Sequence, residues 1–162
     1  MIDSKTDKSN NSNTSNISNE NTNLDDENSI SLLFPKIMVL LRKKIQKKLN
    51  KTDLLWDQWI VLSQVSRHEG TNQKNIAKIS LKNEASLTRT INFLEKRNLV
   101  KRELSKKDKR EFLIYLTDDG RKTVEECEKI MNNVQKEIDG IFQPDDLAAF
   151  HKLLIELFKG LE

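Results

Sequence analysis

From residue 29 onward, apolar residues recur at helical spacing, and the pattern is broken once by two short strand-like runs. Leu33, Phe34, Ile37, Leu40, Leu41 and Ile45 predict a first helix over about 31–49. Pro35 fits such a helix if it lies in the first turn. Lys43, Lys44, Lys47 and Lys48 fill its other side and its end, where cations suit the helix dipole. A second helix is expected over 55–67, with Trp59, Leu62 and Val65 facing inward and Gly70 ending it. Thr71 then reads as the cap of a short helix, 72–79. After the tight turn "SLKN", Asn83 caps a helix over 84–97, in which Leu87, Ile91 and Leu94 form an i, i+4, i+7 stripe. Asn98 follows where a left-handed residue is wanted.

The runs "LVKREL" and "EFLIYL" flank "SKKDKR", which predicts a β-hairpin with a long charged tip. Thr117 reads as the N-cap of a long helix to about Ile138, carrying Val124, Cys127, Ile130, Met131, Val134 and Ile138 as its apolar side. Gly140 breaks it. Pro144 suits the first turn of a last helix to Phe158, with Leu147, Phe150, Leu153, Leu154 and Leu157 apolar. A short helix, a tight turn, a longer helix and then a basic hairpin make a winged helix-turn-helix. The fold class is mainly α, with residues 54–120 as the winged domain. Residues 29–53 and 121–162 are expected to supply N- and C-terminal helices with more apolar residues than one small winged domain can cover, which should be buried across a two-fold axis as a dimerisation region.

Composition sharpens this picture in three places. Residues 1–28 are dominated by Asn and Ser and lack aromatics, so they are expected to be a disordered tail, or alternatively a partner-binding one. That tail carries two basic and six acidic residues, whereas residues 71–121 carry 13 basic and 7 acidic. The basic excess therefore sits on the winged region, as a polyanion-facing surface requires. One cysteine, Cys127, permits no disulfide within the chain, and its place on an apolar stripe suits inert core. His68 and His151 are isolated and lack metal-ligand spacing. Neither a phosphate-cradling loop nor a nucleophile or zinc-hydrolase motif is present, so an enzyme is not expected and no cofactor is called for. No apolar run nears the roughly 18 residues of a membrane span, and no signal-peptide core is seen, so the expected location is cytoplasmic.

Double-stranded DNA is the expected partner. On a helical wheel the side opposite Leu87, Ile91 and Leu94 holds Ala85, Arg89, Asn92 and Lys96, with Asn83 before it and Ser86, Thr88 and Phe93 on its flanks. Arg89 can pair with guanine O6 and N7, Ser86 and Thr88 can reach bases or phosphates, and Ala85 can touch a thymine methyl. In the hairpin tip Lys106, Lys107, Lys109 and Arg110 surround Asp108. Asp108 either pairs with the Arg110 guanidinium or caps the tip turn; both fix where the arginine points.

These residues resemble the MarR family of bacterial transcriptional regulators. The likeness rests on "LLWDQWIVL" (54–62), "TNQKNIAKIS" (71–80), "SLTRTINFLEKRNLVKRE" (86–103), "DKR" (108–110) and "LTDDG" (116–120). It implies a homodimer whose end helices intertwine and whose two winged domains bind a pseudo-palindromic operator. It also implies a repressor released by a small lipophilic or phenolic ligand held between the first helices and the winged domain. Phe34, Ile37, Met38, Trp56, Trp59 and His68 are the residues expected to line that pocket, or else to be ordinary core. Peroxide-sensing members carry a reactive cysteine in the first helix, and this chain has none there. Asn98 stands where Gly is usual and Ala85 where Ser is common. Leu55 replaces a capping Thr or Ser, leaving Thr52 or Asp53 to cap. Phe93 is apolar where a polar residue is usual, and either packs under the wing or lies exposed. The rival function is a protein-interaction or anti-repressor module on the same fold.

Overall fold

The structure, a computed structural model, describes residues 29–162; the acidic segment 1–28 and the disorder expected of it lie outside the described residues. Of the described residues, those up to Lys36 belong to one unit and Ile37–Glu162 to another. In the first, the Ser29 carbonyl accepts from the Leu32 and Leu33 amides and opens helix α1 (Ile30–Leu49). Pro35 is the sixth residue of α1 and lies in its second turn, not its first. The helix continues regardless, leaving the Ser31 carbonyl without its i+4 donor.

In the second unit, Ile45 and Leu49 of α1 enter the core, and a 3₁₀ turn (Asn50–Thr52) leads to α2 (Trp56–Arg67). Neither Thr52 nor Asp53 caps α2. Thr52 donates back to the Leu49 carbonyl, and Asp53 adopts a left-handed φ of 54° that closes the 3₁₀ turn. The cap comes from glutamines instead: Gln58 Oε1 accepts from the Leu55 amide and Gln46 Oε1, from α1, accepts from the Trp56 amide at 2.8 Å. Trp59, Leu62 and Val65 face inward as their spacing predicts, and Val61 joins them.

Thr71 does not cap the next helix. Thr71–Asn72 form a two-residue strand, β1, and Asn72 is the N-cap of α3 (Gln73–Ile79), accepting from the Asn75 amide at 2.8 Å. The reason is tertiary. Gly70, at φ 75°, turns the chain so that its amide reaches the Ile114 carbonyl, and Thr71 then pairs with Ile114. Beyond α3, α4 spans Glu84–Lys96. The predicted hairpin is β2 (Val100–Leu104) and β3 (Phe112–Leu116), paired in register from Val100↔Leu116 to Leu104↔Phe112. With β1 the sheet has three strands, in the order β1-β3-β2.

Both ends of the helix-turn-helix close with the same device. After α4, Asn98 (φ 55°) donates to the Glu95 carbonyl and Leu99 to the Leu94 carbonyl, a Schellman motif with the apolar pair Leu94 and Leu99 buried beside it. After α3, Leu81 (φ 51°) donates to Lys78 and Lys82 to Ala77. A leucine in this conformation is strained by its own Cβ. The turn is held from outside: the largely buried Lys82 ammonium reaches Asp57 in the first turn of α2, at 3.2 Å, and Asp57 also pairs with Arg42 of α1.

Thr117 caps α5 (Asp118–Asp139) as predicted, accepting from the Gly120 amide at 3.0 Å. Its hydroxyl donates to the Asn98 carbonyl and its amide to the Leu99 carbonyl. Gly120 is obligatory here, because a Cβ would overlap the Leu99 carbonyl oxygen. Cys127 is fully buried on α5, and burial pushes its thiol up. Helix α6 (Pro144–Leu161) has no buried residue: Phe150, Leu153, Ile155 and Phe158 are exposed, as are Ile37, Met38 and Leu40 of α1. No helix of the described residues is long and apolar enough to cross a membrane.

Gly120→Ala should lose about 3 kcal/mol of stability in urea unfolding, since backbone must move to admit the methyl group. An unchanged midpoint would mean the junction is not close-packed. Leu81→Gly should gain about 1 kcal/mol by relieving the left-handed leucine. The leucine is 78 % exposed, so little packing is lost, and a destabilised variant would show that its side chain has a role in the fold.

Candidate nucleic-acid interface

Helix α4 is rolled into place by its apolar stripe. Leu87, Ile91 and Leu94 are completely buried, each burial being worth roughly 1.5–3 kcal/mol. Asn83 starts the helix by accepting from the Ser86 amide at 2.8 Å, and its φ, unlike those of Leu81 and Asn98, is ordinary. With the stripe buried, Ala85, Arg89, Asn92 and Lys96 face outward and are exposed. The flanks are less free. Thr88 is half-buried, its hydroxyl donating to the Glu84 carbonyl and accepting from Gln73 Nε2 of α3, so its one proton is committed within the helix. Ser86 is half-buried as well. Phe93 is half-buried against the core, with the Arg97 guanidinium 5.9 Å from its ring.

The wing tip is built around a buried serine. Ser105 Oγ accepts from the amides of Lys107 and Asp108, at 3.2 and 3.3 Å. Asp108 Oδ1 accepts from the Arg110 amide at 2.9 Å and its carbonyl accepts from Glu111. Of its two expected roles, Asp108 therefore performs the capping one, and among the described residues it makes no ion pair with the Arg110 guanidinium. Lys106, Lys107, Lys109 and Arg110 are all exposed. Neither they nor Arg89 and Lys96 form a salt bridge among the described residues, which leaves six uncompensated cations on the exposed side of α4 and the wing tip.

Residues missed from sequence fasten these parts together. Arg102 of β2 bonds Glu95 of α4 with one arm and Asn92 with the other, at 2.7 Å to the latter. Glu69, just past α2, accepts from the Leu116 amide at 2.8 Å and takes both arms of Arg121 from α5, at 2.7 and 3.0 Å. The Arg121 guanidinium holds the Glu69 carboxyl below its ordinary value against the opposing effect of burial. Nothing local in the sequence joins positions 7 to 52 residues apart. The one available hint was a charged residue at 102, on the same strand face as the apolar Val100.

The six residues expected to line a ligand pocket are placed differently from one another. Trp59 is core, only 6 % exposed, and Trp56 packs half-buried against that core. Phe34, Ile37 and Met38 are exposed on α1, and His68 is exposed beyond the end of α2. Trp56 opens α2 and His68 lies just past its far end, about 18 Å along the axis, too far to share one small ligand. An open groove of about 530 Å³ is lined by none of the six but by Lys44, Lys47, Lys48, Lys51 and Glu137 among others. There Lys48 and Lys44 hold the Glu137 carboxyl down to about 2. Among the described residues no group of three or more His, Cys, Asp or Glu is placed to hold a metal ion.

Residues 54–112, from the start of α2 to the start of β3, match the model of the MarR family. The chain is 32% identical over 114 residues to YwoH of Bacillus subtilis, described as an HTH-type transcriptional regulator, with 70% of this chain and 82% of that one covered. Among solved structures, the Staphylococcus aureus MepR–DNA complex superposes with a TM-score of 0.76 at 23% identity, covering 82% of this chain and 98% of that one. The repressor CouR bound to a 23-mer DNA duplex superposes with a TM-score of 0.75 at 21% identity, covering 80% and 92%. At such identities the superpositions establish the fold, a winged helix-turn-helix carrying flanking helices. With the family match over the winged segment and the relative spanning most of both chains, the protein belongs to the MarR family.

Proposed function

We propose that the chain is a cytoplasmic, DNA-binding transcriptional regulator, and not an enzyme, that acts as a homodimeric repressor on a pseudo-palindromic operator. The observation that carries this reading is the set of six exposed cations without an ion pair among the described residues on α4 and the wing tip, two elements fastened together by Arg102. Helix α4 enters the major groove, where Arg89 reads base edges with Asn83, Ala85, Ser86 and Asn92 around it. The wing tip, with Lys106, Lys107, Lys109 and Arg110 held in shape by Asp108, lies along the neighbouring backbone or minor groove. Homodimerisation is supported by α6, an 18-residue helix rich in apolar residues and with none of them buried in its own chain. A small lipophilic or phenolic effector that loosens repression would meet Ile37, Met38 and Trp56, three of the exposed or half-buried members of the predicted set.

Selection of bound sequences from random duplex DNA tests the reading, with enrichment of a two-fold site expected. Absence of any enriched site would count against it. On the selected operator, Arg89→Ala should cost about 1–3 kcal/mol, and less on random duplex. Arg110→Ala should weaken both and flatten the salt dependence by about one unit per lost phosphate contact in each half-site. Asp108→Ala should weaken operator binding although it raises the net positive charge, because the tip turn loses its cap. Tighter binding by Asp108→Ala at physiological salt would reduce the wing to a charged patch.

A further inference from the structure

Asn92 and Glu95 lie one turn apart on α4 and both face Arg102 of β2. A guanidinium has five N–H donors and no acceptor, so the atom it meets must be the carbonyl oxygen of the Asn92 amide. Glu95 holds one arm of Arg102 by a charge-assisted bond, which fixes where the second arm points. Asn92 Oδ1 is thereby drawn toward the wing at 2.7 Å, and Nδ2, which has no partner among the described residues, is turned the other way on an exposed residue. Without Arg102 the same amide could present oxygen or nitrogen equally well.

We propose that Arg102 is a positioning residue that sets Asn92 as a hydrogen-bond donor toward an acceptor on the duplex. This rests on the DNA-binding reading above and adds a polarity to one position of it. The acceptor is a phosphate oxygen or the N7 or O6 edge of a purine. Arg102 itself touches no DNA; it acts through Asn92.

A double-mutant cycle on the selected operator and on random duplex tests this. Arg102→Lys keeps a cation for Glu95 but lacks the planar fork whose two arms span Glu95 and Asn92 in fixed directions. Arg102→Lys and Asn92→Ala should each weaken operator binding about tenfold, and the double variant should be no weaker than either single one. A loss confined to the operator identifies a base edge as the acceptor. An equal loss on random duplex, with a flatter salt dependence, identifies a phosphate. Multiplied losses in the double variant, or operator binding by Arg102→Lys at the wild-type level, would overturn the positioning role. Asn92→Asp guards against a folding defect, since it keeps an acceptor for Arg102 while removing the donor. It should melt no lower than wild type and bind the operator at least tenfold more weakly, and wild-type binding by this variant would equally overturn the proposal. Failure of the wild-type chain to select any site is a separate outcome, which sinks the DNA-binding reading itself.

Discussion

Four elements of this fold meet at one carbonyl. The Leu99 oxygen lies where α4 has just ended and β2 is about to begin, and it accepts the amide of Thr117, where β3 has ended and α5 is about to begin. Asn98 supplies the left-handed turn that brings Leu99 there, and Thr117 bonds back to the Asn98 carbonyl. Gly120 lets the first turn of α5 press against the same oxygen. The orientation of α4, the root of the wing and the departure of α5 therefore have a common origin. Arg102 adds a second fastening nearer the exposed face, between the middle of α4 and the wing.

The junction also explains which parts of the fold were legible in the sequence. Asn98 and Thr117 are local signals, a left-handed position after a helix and a hydroxyl cap, whereas Gly120 is needed because of the distant Leu99 carbonyl. The stripe Leu87, Ile91 and Leu94 is a periodic one, and it fixed which side of α4 would be exposed. What the sequence did not reveal depends on partners distant along the chain. Thr71 has the chemistry of a cap but becomes a strand because Ile114 is opposite it. The Leu55 amide is satisfied by Gln58, and that of Trp56 by Gln46 from another helix, so α2 has no need of a cap at Thr52 or Asp53. Leu81 at a positive φ is a local violation sustained by the Lys82, Asp57 and Arg42 contacts around it.

The same division holds for the interface. Exposure of Arg89 and of the four wing cations followed from periodicity and composition, whereas the commitment of Thr88 to Gln73 and the use of Asp108 as a backbone cap required coordinates. Charge sits on the tip because hairpin tips are solvated, but the tip is shaped by Ser105 and Asp108, neither of which adds positive charge. Cations and the groups that aim them are thus separate residues in both elements: Asp108 serves Arg110 in the wing, as Glu95 serves Arg102 beside α4.

Through the Leu99 junction α4, the wing and α5 form one cooperative unit. Native-state hydrogen exchange measures this directly, at the amides of Leu99, Thr117 and Gly120, whose acceptors are the Leu94 carbonyl, the Leu99 carbonyl and the Thr117 hydroxyl. They should exchange with the same opening free energy as the core amides of Leu62 and Val65 in α2. Exchange of the junction amides through a separate, lower-energy opening, while α2 stays protected, would show that the junction is not part of one unit with the core.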